Sequence, residues 1–320
     1  MSFDISYLKL EDIKDHINKF KEISYKIENN FITYTKIYYN NPSIKDLSFL
    51  IKTKNNTIYC PLTLINEKKP ELNFYNYPIE IFSEKKIDKE LNLFLNKTLS
   101  DIKKKNNVKN MFIKVKKKNI LKNESTLNNL EKVVSEIYIN LALSHLEIQK
   151  NFKQSLRTIL RKKYDFLNYE IIDKTNYKKN EIFHMREMHF KVSGKETRSK
   201  ESWLQNEKMI LEGNAFIVKT IYKYKPISYS FFFFNNITCV YFFSCTLREY
   251  FKTLKNITHN SLWHAIVYAK KKCSYFYVGS STVYSKTLIS DKELNIEKFK
   301  KQFNSKGEEY CIFNDVPNFF

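Results

Sequence analysis

The segment KPISYSFFFFNNITCVYFFSC, residues 225–245, carries two runs of β-branched and aromatic residues on either side of Asn235 and Asn236. Asn tolerates positive φ, so the pair predicts a tight turn and the segment a hairpin of strands over Pro226 to Phe234 and Ile237 to Cys245. Ala215 to Tyr222 reads as a strand just before it. After it, a polar loop (Thr246 to Thr258) leads into a helix at 260–272 and a strand at Ser274 to Val278. The ending is strand, loop, helix, strand.

The same ending is legible earlier. Leu72 to Phe74 closes a strand and is followed by a loop with Tyr75, Tyr77 and Pro78. Leu91, Phe94, Leu95, Leu99 and Ile102 then fall at helical spacing, and Met111, Ile113 and Val115 alternate like a strand. Phe31 to Tyr39 and Thr57 to Ile65, rich in β-branched and aromatic residues, read as strands. The duplicated order suggests an internal repeat, although α/β chains also alternate such elements without one. Residues 119–132 are polar and mark a boundary, giving expected domains of 1–130 and 131–320.

In the second half Ile137, Ile139, Leu141 and Leu143 alternate, and Ser144 stands three residues before Glu147 as a capping box for a basic amphipathic helix over 145–164. Tyr169 to Ile172 reads as a strand, and 179–192 and 200–211 as helices, the latter opened by Ser199.

Composition bounds the function classes. The 320 residues are 42% hydrophobic and 28% charged, enough for a buried core and unlike a disordered chain. Lys and Arg number 55 against 34 Asp and Glu, a net charge of +21 that points to anionic ligands. Only Arg157, Arg161, Arg186, Arg198 and Arg248 are arginines, however, and a lysine field is diffuse where bidentate reading of bases or phosphates favours Arg. The wealth of Asn, Ile, Tyr and Phe matches AT-rich coding, which itself raises Lys. Cys60, Cys239, Cys245, Cys273 and Cys311 form no CxxC pair, and MSFDISYLKL lacks the features of a secretory leader, so a reduced, cytoplasmic setting is expected. The most apolar run, Ile227 to Phe234, is far shorter than the ~20 residues of a spanning helix. His184 and His189, like His259 and His264, are five apart, about 140° around a helix, so neither pair presents a metal-binding face.

Five segments in order resemble the GNAT acyltransferase superfamily in its double-domain, Fem-like branch. They are LALSHLEIQKNFKQSLRTILRKK (141–163), FHMREMHFKVSGKETR (183–198), Trp203 in the next helix, the 225–245 hairpin and FKKQFN (299–304). The resemblance covers 134–310, and more faintly 30–118. It implies an α/β fold of two packed GNAT-like domains, each a mixed twisted sheet flanked by helices, the first degenerate and mainly completing the acceptor cleft. The implied activity is transfer of an acyl or aminoacyl group to an amine on a sugar or peptidoglycan-type precursor, in bacterial surface-glycan biosynthesis. The implied donor is acyl-CoA or an aminoacyl-tRNA. A non-catalytic GNAT-like module binding RNA or another polyanion is the competing expectation.

Two departures from the family pattern bear on the donor. Acyl-CoA-using members cradle pyrophosphate on a Gly-rich RxxGxG/A loop, where this chain has LKNITHNSLW (254–263) without glycine. Asn256, Asn260 and Ser261 are then the residues whose helix-N-terminal amides are left to meet an anion there. Asn304 replaces the terminal Gly of the last motif.

Acyl transfer needs an unprotonated amine, two reactants held together and a stabilised oxyanion, the last supplied in this superfamily largely by main-chain amides at a splayed strand pair. That role falls to Val240 to Cys245, with Tyr241, Ser244 and Cys245 near the reaction centre. Tyr241 is either the proton donor or a core aromatic. His189 is either a general base or a packing histidine. Lys300 either stabilises the tetrahedral anion, with Phe299 packing beside it, or is one more solvated lysine. Arg186 and Arg198 suit an anionic acceptor. Gly279, Ser280 and Ser281 line the cleft or form an ordinary loop.

Overall fold

The structure, a computed structural model, describes residues 3–7, 29–40, 43–65, 69–119, 128–162, 164–235, 237–254, 257–303 and 307–315. Contacts divide the chain into two compact units. Unit 1 holds residues 1–135, 282–289 and 308–320, and unit 2 holds 136–281 and 290–307.

Unit 1 contains a four-stranded antiparallel sheet of β1 (Asp4–Tyr7), β3 (Phe49–Lys52), β4 (Thr57–Cys60) and β8 (Phe82–Ser83). It also holds α1 (Asn29–Tyr39), β2 (Ile44–Asp46), β5 (Thr63–Ile65), β6 (Glu71–Asn73), β7 (Ile79–Glu80), α2 (Lys89–Lys105) and β9 (Asn110–Lys116). Leu91, Leu95, Leu99 and Ile102 on α2 bury against Met111 and Ile113 of β9, as their spacing requires. Pro61 separates β4 from β5 within the expected Thr57 to Ile65 run. The expected strand over Phe31 to Tyr39 is instead α1. Phe31, Ile32, Tyr34 and Thr35 are all buried, a pattern of one helical face, and Thr35 Oγ1 donates to Phe31 O at 2.7 Å. Local β propensity lost here to the chance of burying one stripe of side chains.

Unit 2 is one mixed sheet in the order β11 (Leu167–Ile172), β12 (Ala215–Tyr222), β13 (Lys225–Phe234), β14 (Thr238–Thr246), β15 (Tyr275–Ser285) and β10 (Leu130–Asn140). The chain passes between the units within β10 and β15, and β16 (Glu308–Asn314) returns to pair with β9 in unit 1. The remaining helices of unit 2 are α3 (His145–Lys150), α4 (Gln154–Arg161), α5 (Glu181–Ser193), α6 (Lys200–Leu211), α7 (Ile257–Ala269) and α8 (Asp291–Lys300). Ser144 and Glu147 form the expected capping box on α3, and Ser199 Oγ accepts from Ser202 N at α6. The single helix expected over 145–164 is broken into α3 and α4. Phe152 turns inward against the edges of Trp263 and Phe303, and Lys153 donates its N–H to Gln302 O, outside any helix.

On one face of the sheet Leu262, Ala265, Ile266 and Ala269 of α7 pack on Phe216, Val218, Phe232, Cys239, Phe276 and Val278. The other face carries α5 and α6, with Trp203 packed on Phe243. At the hairpin loop Asn235 Oδ1 accepts from Ile237 N at 2.8 Å and Thr238 N at 2.6 Å, and Asn236 lies outside the described residues. Among the described residues no helix is long and apolar enough to cross a membrane.

Phe232 stacks on Phe216 with centroids 4.9 Å apart and meets Phe276 at 5.9 Å. Phe232→Ala is therefore expected to destabilise the protein by about 3–5 kcal/mol, read as a lowered denaturant midpoint at unchanged slope.

Candidate functional site

The site is built on a place where the sheet of unit 2 stops being a sheet. β14 and β15 pair in parallel over Thr238–Val240 and Tyr275–Tyr277 only. β14 runs on to Thr246 and β15 to Ser285, with no further ladder pair between them among the described residues. The strands separate beside a β-bulge: Phe231 pairs with Phe243 and Phe232 with Tyr241, which leaves Phe242 as the extra residue. Bulges increase local twist, and this one turns β14 away from β15 where their pairing ends.

The bulge also decides which side chains meet. On a regular strand residues 241 and 244 point to opposite faces, because side-chain parity is two. One extra residue restores them to the same face, and Tyr241 Oη lies 2.6 Å from Ser244 Oγ. Ser230, directly across from Ser244 on β13, is buried with an Oγ that has no hydrogen-bond partner. Burial pushes the Tyr241 phenol up to about 12, a shift that Ser244 partly offsets. Tyr241 is thus a neutral hydrogen-bond donor throughout the physiological range.

Beside Tyr241 lies the ring of Phe299, 6.4 Å away between centroids, at the end of α8. Its neighbour Lys300 reaches over Gly279 and donates from Nζ to Ser280 O at 3.1 Å. Gly279 has φ +125, and a Cβ there would stand 2.7 Å from Lys300 Nζ and 2.8 Å from Cε. The positive φ requires glycine at this point, and a Cβ would in addition make the flexible end of Lys300 shift. Ser281 Oγ is buried without a partner. His259 on α7 completes the cluster, edge-on to Phe299 at 4.5 Å and stacked on Phe303 at 5.9 Å. Burial pushes its pKa down to about 4. Neither ring nitrogen has a partner in hydrogen-bonding geometry, although Gln302 stands near enough to oppose the shift in part.

The other expected site residues collect on the opposite face, under α5 and α6. Arg198 lies over the Phe243 ring at 4.1 Å and donates from Nη1 to His189 Nε2 at 3.0 Å. A guanidinium only donates, so Nε2 is the acceptor and the proton sits on Nδ1. Burial, and then the Arg198 charge, lower the His189 pKa. The lone pair that a general base would use is the one Arg198 occupies. Arg186 is held at 2.7 Å by Glu196, which satisfies much of its charge. Trp203 is 1% exposed, edge-on to His189 and Phe243, so it supports these side chains and has no surface to offer a substrate. Cys245 faces this side too, its thiol buried near Met185 O and pushed up to about 12 by burial.

The residues expected to meet a cofactor pyrophosphate do not fit one. Ser261 is fully buried, with Oγ donating to Ile257 O at 3.2 Å and paired with Thr220 Oγ1 at 2.9 Å. Asn260 is buried as well, and Leu254 and Ile257 pack on Ile227. Asn256 and Asn304 lie outside the described residues. The side chains of Asn260 and Ser261 are thus committed to the interior, which leaves only main-chain amides of this helix start for the expected anion contact.

Reading the sequence missed three features: the bulge, Ser230 and His259. The three consecutive aromatics Tyr241, Phe242 and Phe243 break strict alternation and were the available signal for the first. A polar run, Thr258 to Ser261, opening a helix that is mostly apolar beyond it was the signal for the last.

No known family profile and no curated protein sequence matches the chain. Solved structures do match along its length. FemX superposes with a TM-score of 0.63 at 11% identity, covering 96% of both chains. A tandem GNAT protein from the clavulanic acid biosynthesis pathway gives 0.55 at 6% identity, covering 99% of this chain and 100% of its own. L-PGS from Bacillus licheniformis gives 0.56 at 8% identity, covering 98% and 94%. The likeness is one of fold: along almost its whole length the chain shares the architecture of FemX and of the tandem GNAT protein.

Two outcomes follow. Gly279→Ala strains the backbone and displaces Lys300, and is expected to lower stability by about 1–3 kcal/mol in a thermal or denaturant melt. Protonating His259 is opposed in the folded state only, so stability present above the ordinary histidine pKa is lost as pH falls toward 4. That loss amounts to about 2 kcal/mol between pH 7 and pH 5. His259→Phe removes this part of the slope, measurable as a smaller gap between unfolding free energies at the two pH values.

Proposed function

We propose that this chain is an acyl- or aminoacyltransferase that forms an amide on an amino group of a sugar or cell-envelope precursor. The observation that carries the reading is the interrupted β14–β15 ladder with Tyr241, Ser244 and Lys300 around it. An unpaired strand edge is costly to maintain and is normally covered, so a gap beside a bulge, flanked by buried hydroxyls, suits a bound carbonyl.

In this reading the acyl carbonyl enters the gap and its oxygen is held by main-chain N–H groups of β14. The acceptor amine, arriving unprotonated, forms the C–N bond as the carbonyl π pair moves onto oxygen, and the bond from that carbon to the donor's oxygen or sulfur breaks when the pair returns. Tyr241 gives its proton to that leaving atom and is reprotonated through Ser244 and solvent, while the amine sheds its surplus proton to water. Lys300 opposes the negative charge of the tetrahedral intermediate. Arg198, on the other face, holds an anionic group of the acceptor such as a nucleotide-sugar pyrophosphate, and His189 positions that guanidinium. Between the two donors the fold suggests, the buried Asn260 and Ser261 argue against a thioester held by its pyrophosphate and favour an aminoacyl-tRNA. Lys153, just before α4, and Arg157 and Arg161 on it offer phosphate contacts for it.

Amide formation from charged tRNA and from acyl-CoA, onto amino-sugar nucleotide and muramyl-peptide acceptors, tests this. Tyr241→Phe is expected to reduce kcat by about 10²-fold or more with KM little changed. Full activity in a Tyr241→Phe, Lys300→Ala double variant sinks the site. Salt-sensitive RNA binding without turnover on any donor favours a non-catalytic polyanion-binding module instead.

A further inference from the structure

β12 and β13 are joined by a two-residue turn, Lys223 and Tyr224, between the paired residues Tyr222 and Lys225. Both have positive φ, +46 and +67, the geometry of a type I′ turn, which is ordinarily filled by Asn and Gly. Phe166, just before β11, is also left-handed at φ +62, and its carbonyl accepts from Lys223 N at 3.1 Å. Three bulky side chains thus share one spot in a backbone conformation that L residues resist.

What this strained arrangement achieves is projection. Tyr224 is 95% exposed and Phe166 64%, and Phe251 in the neighbouring turn is 53% exposed. Their base is firmly anchored: Ile227, Leu254 and Ile257 are buried beneath, with Tyr164, Leu167, Tyr222 and Tyr250 packed on them. Around the rings stand the exposed Lys162, Lys223, Lys225, Arg248 and Lys252, against Asp165 and Glu249. No core is left for these aromatics to enter, and nothing in the proposed chemistry uses them.

We propose that this tip of unit 2 is a membrane-interface foot that binds anionic bilayers. Aromatic rings on a rigid base settle at the boundary of headgroups and acyl chains, and the surrounding ammonium groups neutralise lipid phosphates. A single nucleic-acid strand is the poorer match. It is tracked by a charged groove, whereas this surface is the projecting end of a hairpin. The inference stands whether or not the chain transfers acyl groups.

Co-sedimentation of the full chain with vesicles tests it, using phosphatidylcholine alone and phosphatidylcholine with one third phosphatidylglycerol. Binding is expected to the anionic vesicles and to be about tenfold or more weaker to the neutral ones. The informative variant is K223N/Y224G. It installs the preferred turn residues, so the melting temperature is expected to rise while anionic-vesicle binding falls about tenfold. Phe251→Ser is expected to weaken binding without altering the turn. A more thermostable K223N/Y224G protein that binds vesicles as tightly as the parent overturns the proposal, as does equal binding to both vesicle types. Loss of oligouridylate binding in that variant, with no vesicle binding by the parent, also overturns it and makes the tip a nucleic-acid surface.

Discussion

The ladder between β14 and β15 ends at Val240 and Tyr277, and the site depends on that ending. Backbone N–H and C=O groups inside a protein are paired almost without exception, so two adjacent strands that stop pairing leave donors and acceptors needing another partner. Here the separation is not left to drift. Phe242 forms a bulge at the same point, and the aromatic pairs Phe231–Phe243 and Phe232–Tyr241 hold the strand on either side of it in different parities. The opening is therefore a property of a rigid, densely packed hairpin.

Parity explains how two sets of side chains come to lie on opposite faces of one strand beside the end of its ladder. Tyr241 and Ser244 look toward α7 and α8, where Phe299, Lys300 and His259 gather. Phe243 looks the other way, toward α5 and α6, and carries Arg198 with His189. A closed sheet would keep these sets apart by its own thickness. Lys300 is fitted to the same opening from β15, where the absent side chain of Gly279 leaves room for its stem.

Much of this was legible in the residues. The strands of the hairpin, the helix carrying Leu91 to Ile102, and the caps at Ser144 and Ser199 follow from local patterns. Other features were not. The helix at Asn29–Tyr39 is composed of strand-forming residues, and only the core beneath Phe31, Ile32 and Tyr34 makes a helical stripe the better burial. Phe152 breaks the helix after Lys150 because its ring is claimed by Trp263 and Phe303, more than a hundred residues away. Asn260 and Ser261 stand at the right place in sequence to meet an anion, yet Thr220 on a neighbouring strand has already taken the Ser261 hydroxyl.

Sequence alone thus determined most elements of unit 2, their amphipathic faces and the helix caps, because each of these is set within one or two turns of chain. Tertiary structure decided where a strand pair opens, which of Tyr241 and Phe243 faces which helix layer, and whether His189 keeps its lone pair. Those outcomes depend on register and burial between segments far apart in the chain, and a single inserted residue in one strand reverses them.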